Sequence, residues 1–326
     1  MTGIVVADQD RELTVAVVYP ADRNPALVYL ATLRSENSRR VMRHSLRRVL
    51  TILLNCELDD IPDSDLVIER FGWYNLRYQH IAAIRSRLIE ILSSAAVNRH
   101  LSALRGVMKE CWRLEYIDVE TYRRAVDVQN VKYEVIPAGR DLPEREFRLM
   151  LLQCYEDGIA GVRDLAIIGL LATTGLRRSE LAKLDIADFD PKSGRLNVLY
   201  GKGGKQRTVY AQNRALDVLR EWLRVRGDDP GAMFTSILKG GKVTMRRYPA
   251  STIHKMIGDR AVHAGIAKVT PHDLRRKFVS DMLDKNIDMV MISQITGHKD
   301  PRMLLRYDRR TEESKRQAVA KIDLPI

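Results

Sequence analysis

Cysteine is scarce and scattered. Only Cys56, Cys111 and Cys154 occur, far apart and with no CxxC pair, which argues against both a disulfide framework and a cysteine-based zinc site. They read as buried thiols in a reducing compartment. Long apolar runs are missing too. Stretches such as residues 165–172 fall far short of the ~18 residues that span a bilayer, and the first ten residues lack the basic start and apolar stretch of a signal peptide. A cytoplasmic protein with no membrane partner is expected. The 19 glycines and 11 prolines among 326 residues exclude a collagenous or low-complexity chain, and 45% hydrophobic with 29% charged residues is the composition of a folded protein. No Asp/Glu/His cluster stands at metal-ligand spacing, which disfavours a metal-dependent nuclease and implies no metal and no cofactor.

Acidic charge is in deficit. Lys and Arg number 54 against 42 Asp and Glu, a net charge of +12, and such a balance favours a polyanionic partner such as nucleic acid. The excess is uneven: residues 1–142 carry 20 basic and 19 acidic side chains, residues 143–326 carry 34 and 23. Non-specific attraction to a polyanion therefore belongs to the C-terminal part. The length suits two domains, and the sequence divides near residue 140. The expected layout is an N-terminal extension over 1–20, a helical domain over 21–130, a linker over 131–142 and a second domain over 143–326. The linker is read from Pro137, Gly139 and the loss of helical periodicity.

After a β-branched start over residues 4–19, the N-terminal part has helical periodicity. Met42, Leu46, Val49 and Leu53 recur at i, i+4, i+7 and i+11 and predict one core-facing stripe. Arg40, Arg43 and Arg47 fall on the other side. A solvated basic face and a face laid against phosphates both fit this pattern; the absence of Asp or Glu between Asn37 and Cys56 favours the second. A second helix shows Val97, Leu101, Leu104 and Met108 at the same spacing, with Arg99 and Arg105 off the stripe and Ser94 as the expected N-cap. Residues 76–92 predict a further helix and residues 119–126 a short one.

The C-terminal part begins a helix at Glu144 and Glu146, acidic residues suited to a first turn. Residues 163–173 predict a buried apolar helix and residues 214–226 another. Between them, Leu196, Val198 and Tyr200 alternate with polar positions, a glycine-rich turn follows, and residues 207–210 return, predicting a β-hairpin with a basic tip. A mostly helical domain with a small antiparallel β-sheet is expected.

Four short segments have chemical potential. In TGLRRSEL (174–181) a glycine ends one helix and Arg177 stands at the junction with the next, where a planar guanidinium can meet two oxygens at once. GKGGKQR (201–207) places Lys202 and Lys205 on the hairpin tip, either as a solvated turn or as a cation carried to a substrate. HDLRRKF (272–278) follows Pro271, a suitable first helical residue, and sets His272 and Arg275 three apart on one helix face. There an imidazole that moves protons near neutral pH accompanies a permanent cation. TGH (296–298) contributes His298, and Tyr307 lies nine residues after it.

Together, in type, order and approximate spacing, Arg177, Lys202, His272, Arg275, His298 and Tyr307 resemble the signature of the tyrosine recombinase (phage integrase) family. The resemblance covers about residues 25–310, and SSAAVNRHLSALRGVMKECW (93–112) is similar to a helix of the family's N-terminal core-binding domain. It departs in Arg276, where many members have His, and in Leu304 and Leu305, which replace small hydroxyl residues before the tyrosine. The resemblance implies a mainly α protein: a helical, SAM-like core-binding domain, then a mostly helical catalytic domain with a small antiparallel sheet.

It also implies a chemistry. Tyr307 would attack a DNA phosphodiester to form a 3′-phosphotyrosine and release a 5′-hydroxyl, conserving the bond energy without metal or ATP. His272 would accept the phenolic proton, Arg177 and Arg275 would clamp the non-bridging oxygens, His298 would donate a further hydrogen bond, and Lys202, or Lys205 on the same turn, would protonate the leaving oxygen. Glu180 would orient Arg177 or serve its own helix turn; Asp273 is expected to be a first-turn dipole partner. DNA contacts are expected from Arg40, Arg43, Arg47, Arg99, Arg105 and Lys205. The implied partners are double-stranded core sites with inverted repeats, further copies of the chain in a homo-tetramer, and a second recombinase or accessory protein. Only about 20 residues precede the first basic helix, which suggests a simple, Xer-like member. The C-terminal residues 311–326, with Ala318, Val319 and Ile322, would pass to a neighbour or fold back. A type IB topoisomerase and a DNA-binding regulator of the same fold are the alternatives.

Overall fold

The structure, a computed structural model, describes residues 20–56, 66–132, 140–199, 206–298, 300–307, 316 and 320, with Leu66, Val67, Arg306 and Tyr307 described for their backbone alone. The chain separates into two compact units, dividing between Val135 and Ile136. The extension before residue 20, the hairpin tip at 200–205 with Tyr200, Lys202 and Lys205, and Ala318, Val319 and Ile322 of the C-terminal segment lie outside the described residues.

The first unit is helical: α1 (Pro25–Thr32), α2 (Glu36–Leu54), α3 (Leu66–Arg70), α4 (Tyr78–Ile91), α5 (Ser94–Arg113) and α6 (Val119–Val126). Local chemistry starts the first two. Asn24 Oδ1 accepts from the amides of Ala26 and Leu27 at 3.0 and 3.2 Å, and Pro25 stands at the first helical position. Ser35 Oγ accepts from the Ser38 amide at 3.1 Å. In α5 the cap differs from expectation: Ser94 is already the first helical residue, and Ser93 precedes it without a side-chain cap bond. The two predicted stripes form the core. Leu46 and Val49 of α2, and Val97, Leu101, Leu104 and Met108 of α5, are buried together, while Met42 and Leu53 pack at the edge.

Both ends of the expected linker are anchored. Asn98 exchanges a pair of hydrogen bonds with the Val131 backbone, at 3.0 and 2.8 Å. At the other end the Arg140 amide donates to Asp273 Oδ1 at 2.9 Å, and Leu142 is buried in the second core. Residues 133–139 of the expected linker, with Pro137 and Gly139, lie outside the described residues.

The second unit contains α7 (Glu144–Cys154), α8 (Gly158–Thr174), the short α9 (Arg178–Leu181), α10 (Asn213–Arg226), α11 (Ala250–His263), α12 (Pro271–Asp284) and α13 (Met289–Thr296). Helix α8 is central and buried along most of its length, with α10 and α12 packed against it. Strands β1 (Phe189–Asp190), β2 (Arg195–Val198) and β3 (Arg207–Tyr210) form an antiparallel sheet in which Leu196 faces Val209 and Val198 faces Arg207. A separate antiparallel pair joins β4 (Thr235–Ile237) to β5 (Val243–Arg247). The mainly helical fold with a small sheet is therefore as expected; the second pair was not.

Buried charge in this core is closed on itself. Asp164 accepts from Arg163 through one oxygen and from Arg260 through the other, and Arg260 also reaches Gln153 and Asp157. Burial opposes the Arg260 charge, but Asp164 and Asp157 hold its guanidinium above the usual range. Burial pushes the thiols of Cys111 and Cys154 up to about 12, so both are unreactive at neutral pH. Among the described residues no helix is long and apolar enough to cross a membrane.

Candidate active site

The site is assembled where three helix termini meet β3. Gly175 ends α8 with φ +63°, and a Cβ there would lie 2.6 Å from the Phe278 ring, so glycine serves both the left-handed turn and the close approach of α12. Arg177 follows at the entrance to α9. Its amide donates to Glu180 Oε2 at 2.8 Å, its Nη1 to Glu180 Oε1 at 2.7 Å, and its Nη2 to the Gly297 carbonyl at 3.1 Å. The Arg177 side chain stays 25% exposed.

Glu180 is shared. It is buried, and both its oxygens also accept from Arg207: Nη1 to Oε1 at 3.1 Å and Nη2 to Oε2 at 2.7 Å. Burial alone pushes the carboxyl up, but hydrogen bonds from Arg207 and Arg177 outweigh it and hold the group below the usual range. Arg207 Nε donates to the Ile295 carbonyl at 2.7 Å. Gly297 completes the junction with φ +69°, where a Cβ would come within 3.3 Å of the Arg207 guanidinium.

Arg275 is buried on α12 and turned toward the ends of two other helices. Its Nη1 donates to the Gly175 carbonyl and its Nη2 to the Thr296 carbonyl, the latter at 2.7 Å. Nη2 also lies 3.3 Å from His298 Nε2, and His298 Nδ1 lies 2.7 Å from Thr296 Oγ1. Thus Arg177 is brought together with Arg275 and His298, which lie 23 residues apart from each other and far along the chain from Arg177. His272 is placed differently from Arg275: it is exposed at the second position of α12, between the buried Pro271 and Asp273, whereas Arg275 is buried. Tyr307 ends a 3₁₀ segment over Pro301–Tyr307, which Leu304 anchors by packing with Phe278, Val279, Leu283 and Ile292.

Two of the expected polar residues have hydrogen-bond partners within their own unit. Asp273 accepts from the Thr270 amide and hydroxyl at 2.8 and 2.7 Å, closing a capping box at the start of α12. In the first unit, Arg105 Nη1 donates to Asn130 Oδ1 at 2.8 Å and its Nη2 to the Val128 carbonyl, fastening the tail of that unit. Arg40 and Arg99 are exposed; Arg43 and Arg47 are half-buried.

Sequence reasoning missed Arg207 and Thr296. Arg207 could have been suspected as a cation returning from the GKGGKQR hairpin; nothing local marked Thr296. Arg177 and Arg207 share the Glu180 carboxylate, and Arg275 adds a third guanidinium at the same junction, so the site is left cationic and suited to a bound oxyanion. Among the described residues no group of three or more His, Cys, Asp or Glu is arranged to hold a metal ion.

Residues 141–314 match the phage integrase family. Tyrosine recombinase XerA of Pyrococcus furiosus is 34% identical over 185 residues, 57% of this chain and 62% of the relative, so the match spans less than two thirds of that protein. Tyrosine recombinase XerC of Pseudomonas putida is 30% identical over 285 residues, 83% of this chain and 86% of the relative. The fold is that of the Tn1549 transposon integrase in complex with transposon right end DNA, with a TM-score of 0.65 at 15% identity, covering 92% and 98% of the two chains. It is also that of a lambda integrase dimer bound to a COC′ core site, with a TM-score of 0.64 at 17% identity, covering 88% and 94%. With more than half its length inside the family and a 30% identical relative along 83% of it, this chain belongs to the phage integrase family, among tyrosine recombinases of the Xer type.

Proposed function

We propose that the protein is a site-specific DNA recombinase that cleaves and rejoins strands through a 3′-phosphotyrosine at Tyr307. The observation that carries this reading is the convergence of Arg177, Arg275 and His298 at the junction of α8, α12 and α13. A transition state at phosphorus gathers negative charge on its non-bridging oxygens, and fixed guanidinium donors stabilise it without reorganising. His272 takes the phenolic proton, since a phenol of pKa about 10 is a weak nucleophile at neutral pH. Lys202, with Lys205 as the alternative, protonates the 5′-oxygen as it leaves. Reversal of the same steps on a second duplex rejoins the strands.

The substrate is a double-stranded core site with inverted repeats, and exchange takes place in a homo-tetramer in the cytoplasm, with or without a second recombinase or accessory protein. The recombinase and integrase names of the relatives favour this reading over a type IB topoisomerase or a regulator. The separating experiment incubates the protein with two duplexes carrying the same core site and, in parallel, with supercoiled DNA lacking it. Recombinant joints on the first and no relaxation of the second are expected; relaxation without exchange would mean a topoisomerase.

Arg207 is a positioning residue in this reading, because it fixes the carboxylate that fixes Arg177. Arg207→Ala leaves the buried Glu180 with one cationic partner, a change expected to cost about 3 kcal/mol of stability in the second unit. Thermal unfolding of the variant and of Arg207→Lys measures this; a melting temperature within a degree of the wild type in both would show that the pair contributes nothing.

Arg40 and Arg99 are proposed phosphate contacts. Alanine at either is expected to reduce the slope of log K against log salt by about 0.9. Arg105→Ala is expected to leave the slope unchanged and to lower stability instead, because its donors hold the Val128 carbonyl and Asn130.

A further inference from the structure

Thr296 ends α13 fully buried, and its hydroxyl oxygen has two close polar neighbours: the Ile292 carbonyl at 2.6 Å and His298 Nδ1 at 2.7 Å. A hydroxyl has one proton to donate and can also accept. If the proton goes to Ile292, then Nδ1 must carry the ring hydrogen; if it goes to Nδ1, the ring hydrogen must sit on Nε2. The opposite ring nitrogen decides which state holds when. Nε2 lies 3.3 Å from Arg275 Nη2, a group that only donates. Without an anion, Nε2 therefore accepts from Arg275, and Nδ1–H donates to Thr296. With an anion seated against both groups, Arg275 and Nε2 must both donate.

An imidazolium would meet that need, but the charges around the ring oppose it. Arg275 faces it from α12, Arg177 binds the Gly297 carbonyl beside it, and Arg207 lies beneath Gly297 from β3; Glu180 is already paired to Arg177 and Arg207, and His272 is exposed on the first turn of α12. A neutral ring avoids a fourth positive charge, provided that something donates to Nδ1.

We propose that Thr296 is a positioning residue that sets the tautomer of His298: its hydroxyl accepts from Nδ1 in the resting site and donates to it when an anion arrives, so that a neutral imidazole presents Nε2–H. Water takes the Nδ1 proton and water returns one to Nε2, so the ring stays neutral and no proton is consumed or released. The anion is the scissile phosphate, and in this the inference rests on the recombinase reading.

The test uses full-length protein and a nicked duplex bearing a core site selected from a randomised duplex library. Single-turnover formation of the covalent complex is followed from about pH 5.5 to 9, across the ordinary imidazole range, with binding read by anisotropy and folding by thermal melts. Thr296→Ser is expected to cleave within about threefold of the wild type. Thr296→Val keeps the shape and loses the hydroxyl, so a slowing of about tenfold at neutral pH is expected, the scale of one hydrogen bond. That defect shrinks as pH falls, because an imidazolium supplies Nε2–H unaided, so the ratio of wild-type to variant rate grows as pH rises, whatever pH dependence the base His272 gives to both. Combined with His298→Ala, Thr296→Val adds no further loss. A valine variant that cleaves like the wild type, a defect constant across pH, or full multiplication of the two losses would each overturn the proposal. Absence of covalent complex with the wild type would instead sink the recombinase reading.

Discussion

Tyr307→Phe is expected to bind its core site within a few-fold of the wild type and to form no covalent complex with it. The phenolic oxygen makes the bond to phosphorus, and a phenyl ring has no nucleophile in its place. The segment that carries the residue is fixed by Leu304, fully buried among Phe278, Val279, Leu283 and Ile292, and the substitution leaves that contact in place. Those partners belong to α12 and α13, the helices that also carry Arg275 and lead to His298. Trapping on a nicked duplex measures the outcome. Covalent complex of normal yield with the Phe variant would place the nucleophile elsewhere.

The second large effect concerns the two arginines. Arg177→Ala and Arg275→Ala are each expected to slow cleavage by two or more orders of magnitude, the scale of about 2.7 to 4 kcal/mol for one transition-state donor, while binding at moderate salt weakens far less. Their structural costs differ. Without Arg177, Glu180 keeps both contacts with the more deeply buried Arg207, so the stability cost is expected to be smaller than that of Arg207→Ala. Without Arg275, the carbonyls of Gly175 and Thr296 lose a buried donor, which adds a stability cost of about 1 to 3 kcal/mol. Arg275→Lys therefore accompanies the alanine variant: it retains the charge but cannot reach two carbonyls and an anion as a planar fork does. Melting curves separate lost folding from lost chemistry. Equal losses in binding and in rate would recast both arginines as ordinary phosphate anchors.

Much of the architecture was legible because it is written in local pattern. The Met42–Leu46–Val49–Leu53 and Val97–Leu101–Leu104–Met108 stripes follow from the helical repeat, which puts such residues on one face whatever they pack against. Pro271 at the start of α12 and Gly175 at the end of α8 act through backbone geometry within a residue or two. Arg177, Arg275 and His298 were legible as a set because their order and spacing resemble a family signature, and the family is the one to which the chain belongs.

The helical repeat of each unit, the hairpin pairing of β2 with β3, the excess of positive charge in the second unit and the chemical types assembled at the site are thus local or compositional properties of the chain. Which polar groups meet depends on packing. Arg207 finds Glu180 across 27 positions and the Ile295 carbonyl across 88, and Arg275 finds Gly175 across 100. No periodicity encodes such pairs, since each depends on where a helix ends after packing. Packing also separated residues that look alike in sequence: Arg99 is exposed while Arg105, on the same helix, is tied to Val128 and Asn130, and His272 is exposed one turn from the buried Arg275. A side chain's type and helical phase come from its neighbours in the chain, but the partner that satisfies a buried donor or charge is supplied by whichever distant segment the core brings within about 3 Å.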